Sequence, residues 1–324
     1  MNSKSNPIKC NVSRRRFLEV AAAGITMSSL DMTGMTKVTA ASEKKAGSSR
    51  KICIFSKHLQ WLDYQGMAKT AREIGFDGID LTVRPRGHVL PERVREDLPK
   101  AVQAIKEAGL DVPMMATAIT DPADPLTEST LATASQLGIR YYRMGYYRYD
   151  DSRTIRQTLN EARAKLRDLV EMNKHYNMVG TYQNHSGAKY VGAPLWDLDH
   201  LFKDLDTRWI GCQFDIRHAT VEGGTVWPTH FRFISRYINT LVAKDFKWSR
   251  TDKGWRAENC PLGEGMVDFP GYSRMLKKAE IAGPMSLHLE YPIGGAEHGD
   301  RRLTGDKQQV IGAMRKDLRF LRNL

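Results

Sequence analysis

Met285-Ser286-Leu287-His288-Leu289-Glu290-Tyr291-Pro292 alternates two kinds of side chain. In an extended chain Met285, Leu287 and Leu289 share one face, and Ser286, His288 and Glu290 share the other. The polar face carries a hydroxyl, an imidazole and a carboxylate, and Pro292 stops the run just beyond the carboxylate. A half-exposed surface strand alternates in the same way. A strand that delivers acid–base groups or ligands to one end of a sheet does too, and the rest of the chain must decide between them.

Upstream, short apolar runs alternate with amphipathic segments eight times. Strands are expected at 52–55, 78–83, 112–119, 140–147, 178–183, 209–215, 240–245 and 285–290. Helices are expected at about 62–74, 91–108, 127–136, 154–175, 195–205, 228–237, 272–282 and 307–322, with Gly75, Gly109 and Gly138 as stops. Strand–helix alternation implies βα units and parallel pairing. Eight units within 51–324 suit a closed (β/α)8 TIM barrel of one domain better than an open sheet. No glycine-rich phosphate loop of the G-x-G-x-x-G or Walker type follows a strand, which argues against a nucleotide-binding open sheet.

The net charge of +12 raises the question of an anionic polymer. Residues 1–40 hold six basic and two acidic residues, so without them the charge falls to +8, and the remaining basic residues are scattered and not interleaved with aromatics. No nucleic-acid partner is expected. Cys10, Cys53, Cys212 and Cys260 form no C-x-x-C pair and read as small apolar residues. Ser13-Arg14-Arg15-Arg16-Phe17-Leu18-Glu19, a short apolar run and Val38-Thr39-Ala40 resemble a twin-arginine export signal over 1–40, followed by a linker at 41–50. The apolar run is too short to span a membrane. On this reading the protein is bacterial, exported already folded, and works in the periplasm or otherwise outside the cytoplasm.

Active sites of such barrels lie at the carboxyl ends of the strands. The expected exits offer Arg84 and His88, then Arg143, then Gln183-Asn184-His185-Ser186-Gly187, then Asp215 with His218, then Lys244-Asp245, and finally His288 with Glu290. Asp215 and Glu290 are carboxylates able to hold a divalent cation. His185, His218 and His288 could add a ligand or act as acid–base groups. Lys244 suits a substrate oxyanion or pairs with a carboxylate, and Arg84 and Arg143 suit polar or anionic substrate groups. Tyr146, Tyr147, Tyr149, Trp227, Trp248 and Trp255 could pack on sugar rings or simply within loops.

From about Ile52 to the carboxyl terminus the chain resembles the xylose isomerase-like barrels, a group of sugar isomerases and epimerases that also includes a DNA-repair endonuclease family. Gln183-Asn184-His185-Ser186-Gly187 resembles the family's E-N-x-x-G, Asp215 to His218 its D-x-x-H, and Val242-Ala243-Lys244-Asp245 its H-x-K-D. Pro261-Leu262-Gly263-Glu264-Gly265 and Glu290 complete the pattern. The resemblance implies a divalent metal (Mn, Mg, Co or Zn) on a Glu, Asp, His, Glu set. By position that set becomes Gln183, Asp215, Val242 and Glu290. Gln183 keeps a carbonyl oxygen but cannot act as a base, and Val242 cannot ligate. The expected metal set is therefore Gln183, Asp215, Glu290 and His288. Glu290, His218 and Lys244 are the expected catalytic residues, with His185, Arg143, Arg84, His88 and Glu264 toward substrate. The implied function is an exported, metal-dependent carbohydrate isomerase or epimerase acting through an enediolate. The alternatives are a lyase or hydrolase on modified (for example oxidised) glycosides, or a non-catalytic carbohydrate-binding barrel. The expected partner is a small carbohydrate, and a homo-oligomer stays open. The endonuclease reading is weakest, since Ala257-Glu258-Asn259-Cys260 lacks the histidines that family adds before Pro261.

Overall fold

The computed structural model describes residues 50–324. The expected export signal and nearly all of the expected linker lie outside the described residues. Eight strands pair in parallel and close on themselves: β1 (Ile52–Phe55), β2 (Gly78–Thr82), β3 (Asp111–Ala116), β4 (Tyr141–Arg143), β5 (Val179–Gln183), β6 (Ile210–Asp215), β7 (Ile238–Ala243) and β10 (Met285–Leu287). Closure comes from β1, which pairs Ile52 with Met285 on one side and Cys53 with Gly78 on the other. The (β/α)8 barrel of one domain is thus the architecture. No helix among the described residues is long and apolar enough to cross a membrane.

Helices pack outside the strands, and their ends follow local chemistry. Asp63 caps α1 (Tyr64–Ile74) by accepting from the Gly66 amide at 2.7 Å, and Gly75 ends it at φ 106°. Between them come α2 (Val94–Glu107) and α3 (Pro125–Gln136), and α4 (Ile155–His175) opens on a reciprocal Thr154–Gln157 capping box. Then follow α5 (Trp196–Phe202), α6 (Ile216–Gly223), α7 (Trp227–Ile234), α8 (Phe269–Lys278) and α9 (Lys307–Arg322). Apolar residues of the strands and helix stripes, such as Ile54, Leu81, Leu166 and Leu241, are buried between the two layers.

Three features depart from the expected plan. The seventh strand stops at Ala243, and the chain turns out into an antiparallel hairpin, β8 (Asp245–Thr251) and β9 (Gly254–Cys260). An extra short helix, α6, follows β6 directly, with Asp215 as its cap. The closing strand ends at Leu287, so His288 and Glu290 stand on the loop just past it. Both faces of the opening stretch are buried, from Met285 to Leu289. Ser286 donates to Asp80 Oδ2 across the barrel interior at 2.7 Å, so the polar face points inward.

Candidate functional site

Lys244 is the single residue between β7 and β8, and that position aims its side chain over the barrel mouth. Its Nζ lies 2.8 Å from His218 Nε2, 3.0 Å from Glu290 Oε2 and 3.2 Å from Asp215 Oδ2. An ammonium has three N–H donors, and these three groups use them all. The lysine is 3% exposed. Burial works against its charge, but Asp215 and Glu290 outweigh burial and hold the ammonium above the usual lysine value.

Asp215 does two jobs. Its Oδ1 accepts the His218 amide at 3.1 Å, which starts α6 and places His218 on the first turn. Its Oδ2 takes Lys244 and the Gln183 side-chain N–H, the latter at 2.7 Å. Full burial pushes the Asp215 carboxyl up, although Lys244 pulls it down. Glu290 sits between two lysines, with Lys57 Nζ 2.8 Å from Oε1. Burial opposes its charge, yet Lys244 and Lys57 hold the carboxyl well below the usual range.

The histidines are neutral, each for a visible reason. Burial and the Lys244 charge push His218 far down; its Nε2 faces the ammonium, so Nδ1–H donates to Ser186 Oγ at 2.8 Å. His185 stacks on His218 and Tyr190 at centroid separations of 4.0 and 4.1 Å, its Nδ1 lies 2.9 Å from the Ser186 carbonyl, and burial takes it down to about 4. His288 is buried against Phe55 with no hydrogen-bond partner on either nitrogen among the described residues, its Nδ1 3.9 Å from Glu290 Oε1.

Gln183 is fixed as an amide acceptor and donor. Its Oε1 receives Tyr146 Oη at 2.5 Å and Arg143 Nη1 at 3.2 Å, and the arginine, which can only donate, fixes the oxygen on that side. Arg84 and Arg143 lie over the Phe55 ring at 5.3 and 5.6 Å. Asp215, Glu290, His218, Lys244, Gln183, His185 and Arg143 therefore meet at one site.

Two expected substrate residues do not join them. The Glu264 carboxylate is exposed and pairs with Lys316 on α9. His88 is bound into a hydroxyl cluster, its Nδ1 3.2 Å from Ser56 Oγ and 3.4 Å from Thr82 Oγ1. Among the aromatics, Trp227 is buried at the start of α7, and Trp248 and Trp255 project from the hairpin into solvent. Tyr147 stacks on Tyr182, and Tyr149 donates to Asp197, so of these three expected tyrosines Tyr146 alone borders the site. Lys57 was not expected. It lies two residues past the end of β1, after Ser56, and reading the first strand's exit like the others would have found it. Asp245 proves structural: its carboxylate accepts the amides of Phe246, Gly263, Gly265 and Val267 at 2.8–3.1 Å, tying down the Pro261–Val267 loop. Gly265 is required there, because a Cβ would stand 2.2 Å from Asp245 Oδ1.

A family model described as a xylose isomerase-like TIM barrel matches residues 68–324. The chain belongs to that family. The solved xylose isomerase-like and related barrels it resembles include a 3-keto-D-glucoside 4-epimerase from E. coli (15% identity, TM-score 0.63, covering 85% of this chain and 100% of that one). A probable 3-DHS dehydratase from Bacillus anthracis is similar at 15% identity and TM-score 0.62, covering 84% and 99%. A xylose isomerase-like barrel of Mycobacterium smegmatis, solved with magnesium, is similar at 13% identity and TM-score 0.58, covering 83% and 98%. These identities establish a shared fold. An uncharacterized protein of Methanocaldococcus jannaschii is 23% identical over 137 residues, 42% of this chain and 45% of that protein. The chain thus matches less than half the length of that curated relative.

The divalent cation implied by the family can be tested against the residues of this member, and they do not fit it. The space between Asp215 and Glu290 is taken by the Lys244 ammonium, already a cation in contact with both. In the sheet Val242 lies level with Asp215 on one side and Ser286 on the other, presenting an isopropyl group. The Gln183 oxygen is engaged by Tyr146 and Arg143. Among the described residues no group of three or more His, Cys, Asp or Glu is arranged to hold a metal ion. The expected set of Gln183, Asp215, Glu290 and His288 therefore does not converge on one open point: the Lys244 ammonium stands between Asp215 and Glu290.

Proposed function

We propose that this barrel is a carbohydrate-directed enzyme that moves a proton at a carbon next to a carbonyl. The reading rests above all on the Lys244 ammonium, buried between Asp215, Glu290 and His218 at the carboxyl ends of the strands. Glu290 takes the proton, its basicity rising from the low value set by Lys244 and Lys57 as Lys244 turns toward the substrate oxygen. As it does so its charge disappears and its hold on Lys244 weakens, just as negative charge builds on the substrate oxygen. Lys244 then exchanges Glu290 for that oxygen, an interaction made in the transition state and not before. Glu290 returns the proton to the neighbouring carbon in isomerisation or to the departing group in elimination. Asp215 and His218 keep the ammonium in place through the exchange, and Ser186 keeps His218 in the tautomer whose Nε2 faces the lysine.

One base on one side of the substrate favours isomerisation or elimination over two-base epimerisation. Gln183, at the position where the family resemblance implies a second carboxylate, is bonded at both ends and cannot take a proton. Elimination from an oxidised glycoside needs only the base, the oxyanion partner and a departing group, so it remains the second reading. Export through the twin-arginine route belongs to the same proposal, and N-terminal sequencing of the mature protein from cell fractions tests it.

The reaction is tested by incubating the protein in D2O with a panel of aldoses, ketoses and keto-glycosides. Deuterium on a carbon beside the carbonyl of recovered sugar supports isomerisation, and an unsaturated product supports elimination. Neither label nor new product across the panel would overturn the proposal.

A further inference from the structure

A cavity of about 770 Å³ opens beside the site, on the same face of the barrel. Its walls come from the loops after β1 (Lys57, Gln60), β2 (Arg84, Arg86) and β10 (His298, Asp300, Arg301). Lys57 belongs to both places, lining this cavity while its Nζ contacts Glu290 at 2.8 Å.

The charges are one-sided. Lys57, Arg84, Arg86 and Arg301 face a single carboxylate, Asp300. Among the ion pairs of the described residues, Lys57 is bound to Glu290, but none involves Arg84, Arg86 or Arg301. Arg84 is confined as well as unpaired: its guanidinium shares the Phe55 ring with Arg143, and burial and the Arg143 charge pull it down to about 10. The walls are built, not draped. Arg301 donates to the Gly87 carbonyl at 3.0 Å, linking the β10 loop to the β2 loop. Gln60 donates to the Arg86 carbonyl, linking the β1 loop to the β2 loop. Arg86 itself holds a left-handed backbone, φ 62°, which costs energy for a residue with a Cβ and fixes where its side chain departs. Guanidinium groups gathered around one carboxylate still repel one another, and an oxyanion with two or three acceptor oxygens relieves that repulsion while matching their fork geometry.

We propose that this cavity binds an oxyanion substituent of the substrate, so that the enzyme acts on acidic saccharides: sugars bearing a carboxylate, a sulfate ester or a phosphate. The inference rests on the reading of the neighbouring site as one for carbohydrates, and it adds the substrate class. The reacting carbon would sit at Glu290 and Lys244, with the charged substituent beyond Lys57 among Arg84, Arg86 and Arg301.

Calorimetric titration of the full chain with D-glucuronate, D-glucose 6-sulfate, D-glucose 6-phosphate and D-glucose separates the possibilities. At low salt at least one anionic sugar should bind about ten-fold or more tightly than glucose, and added salt should shrink the difference. The strongest of the three identifies carboxylate, sulfate or phosphate as the group recognised. Arg84→Met and Arg86→Met should each reduce the preference, while Arg167→Met, an exposed arginine of α4, should leave it unchanged. Among the described residues Arg86 has no side-chain partner to lose, so its variant keeps the test open if Arg84→Met folds poorly. Equal affinity for glucose and the anionic sugars overturns the inference, as does a preference that survives both variants. Inorganic sulfate or phosphate binding without any sugar binding overturns it too. Deuterium uptake into neutral sugars with no anionic preference would sink this inference and leave the proton-transfer reading standing. Anionic preference without uptake on any sugar would do the reverse.

Discussion

Replacing Lys244 by Met keeps the length of the side chain and removes its charge, which isolates what the ammonium does. Lys244 is 3% exposed and Asp215 is fully buried, so solvent screens little of the change. Removing one partner of a buried ion pair typically costs about 3–5 kcal/mol. Here each carboxylate keeps another donor: Asp215 retains the Gln183 and His218 N–H groups, and Glu290 retains Lys57. The loss should therefore sit at the lower end, about 3 kcal/mol near pH 7, read as a lower denaturation midpoint in urea. It should also depend on pH. Burial already pushes the Asp215 carboxyl up, and without the lysine it faces Glu290 uncompensated. Its folded value then lies further above its unfolded one, so the penalty is relieved as pH falls through that raised value. The gap between wild type and variant should narrow on acidification. Turnover on any substrate found should fall by about 10²-fold or more, the cost of losing an oxyanion partner. A variant as stable as wild type from neutral to acid pH, or one that keeps full turnover, would show that Lys244 is only a filler.

Further outcomes follow from the same geometry. Because Lys244 occupies the space between Asp215 and Glu290, prolonged chelation should leave the melting temperature unchanged and added Mn2+ or Mg2+ should not raise it; a large metal-dependent rise would count against the site as described. Burial lowers His58 to about 3, and His88 and His185 to about 4, so the unfolded chain takes up protons first as pH falls below its ordinary value near 6.5. Their stabilisation is full above that value and is lost below it, about 2 kcal/mol for His58 alone by about pH 5, and urea midpoints measured across that range should fall. Asp245→Ala leaves four backbone amides without their acceptor and should cost about 2–4 kcal/mol, with faster amide hydrogen exchange in the Pro261–Val267 loop.

The barrel was legible because its signals are local. Two-residue alternation in strands, helical stripes and glycine stops such as Gly75, at φ 106°, each lie within a dozen residues. The hairpin was missed because Lys247-Trp248-Ser249-Arg250 is polar or exposed on both faces and lacks the apolar alternation of a buried strand, although Asp252-Lys253-Gly254 is a turn signal. Short helix α6 ends at Gly223-Gly224, and only its Asp215 cap marks it. The site residues Asp215, Lys244, His218 and Glu290 were found from strand exits. What they do to one another was not, since the Lys57–Glu290 contact spans 233 positions and the Lys244 contacts require closure of the barrel. The poor fit of a metal was hidden for the same reason: residue types at family positions do not reveal that a neighbouring ammonium has taken the space.

Solvent-deuterium uptake by a keto sugar, compared between wild type and Glu290→Gln in chelator-treated protein, tests the central claim most directly. We expect label at the carbon beside the carbonyl with the wild type, undiminished by the chelator, and a loss of about 10²-fold or more with the variant. Uptake that Glu290→Gln leaves intact, or that appears only when a divalent metal is restored, would contradict proton transfer by Glu290 under the Lys244 charge.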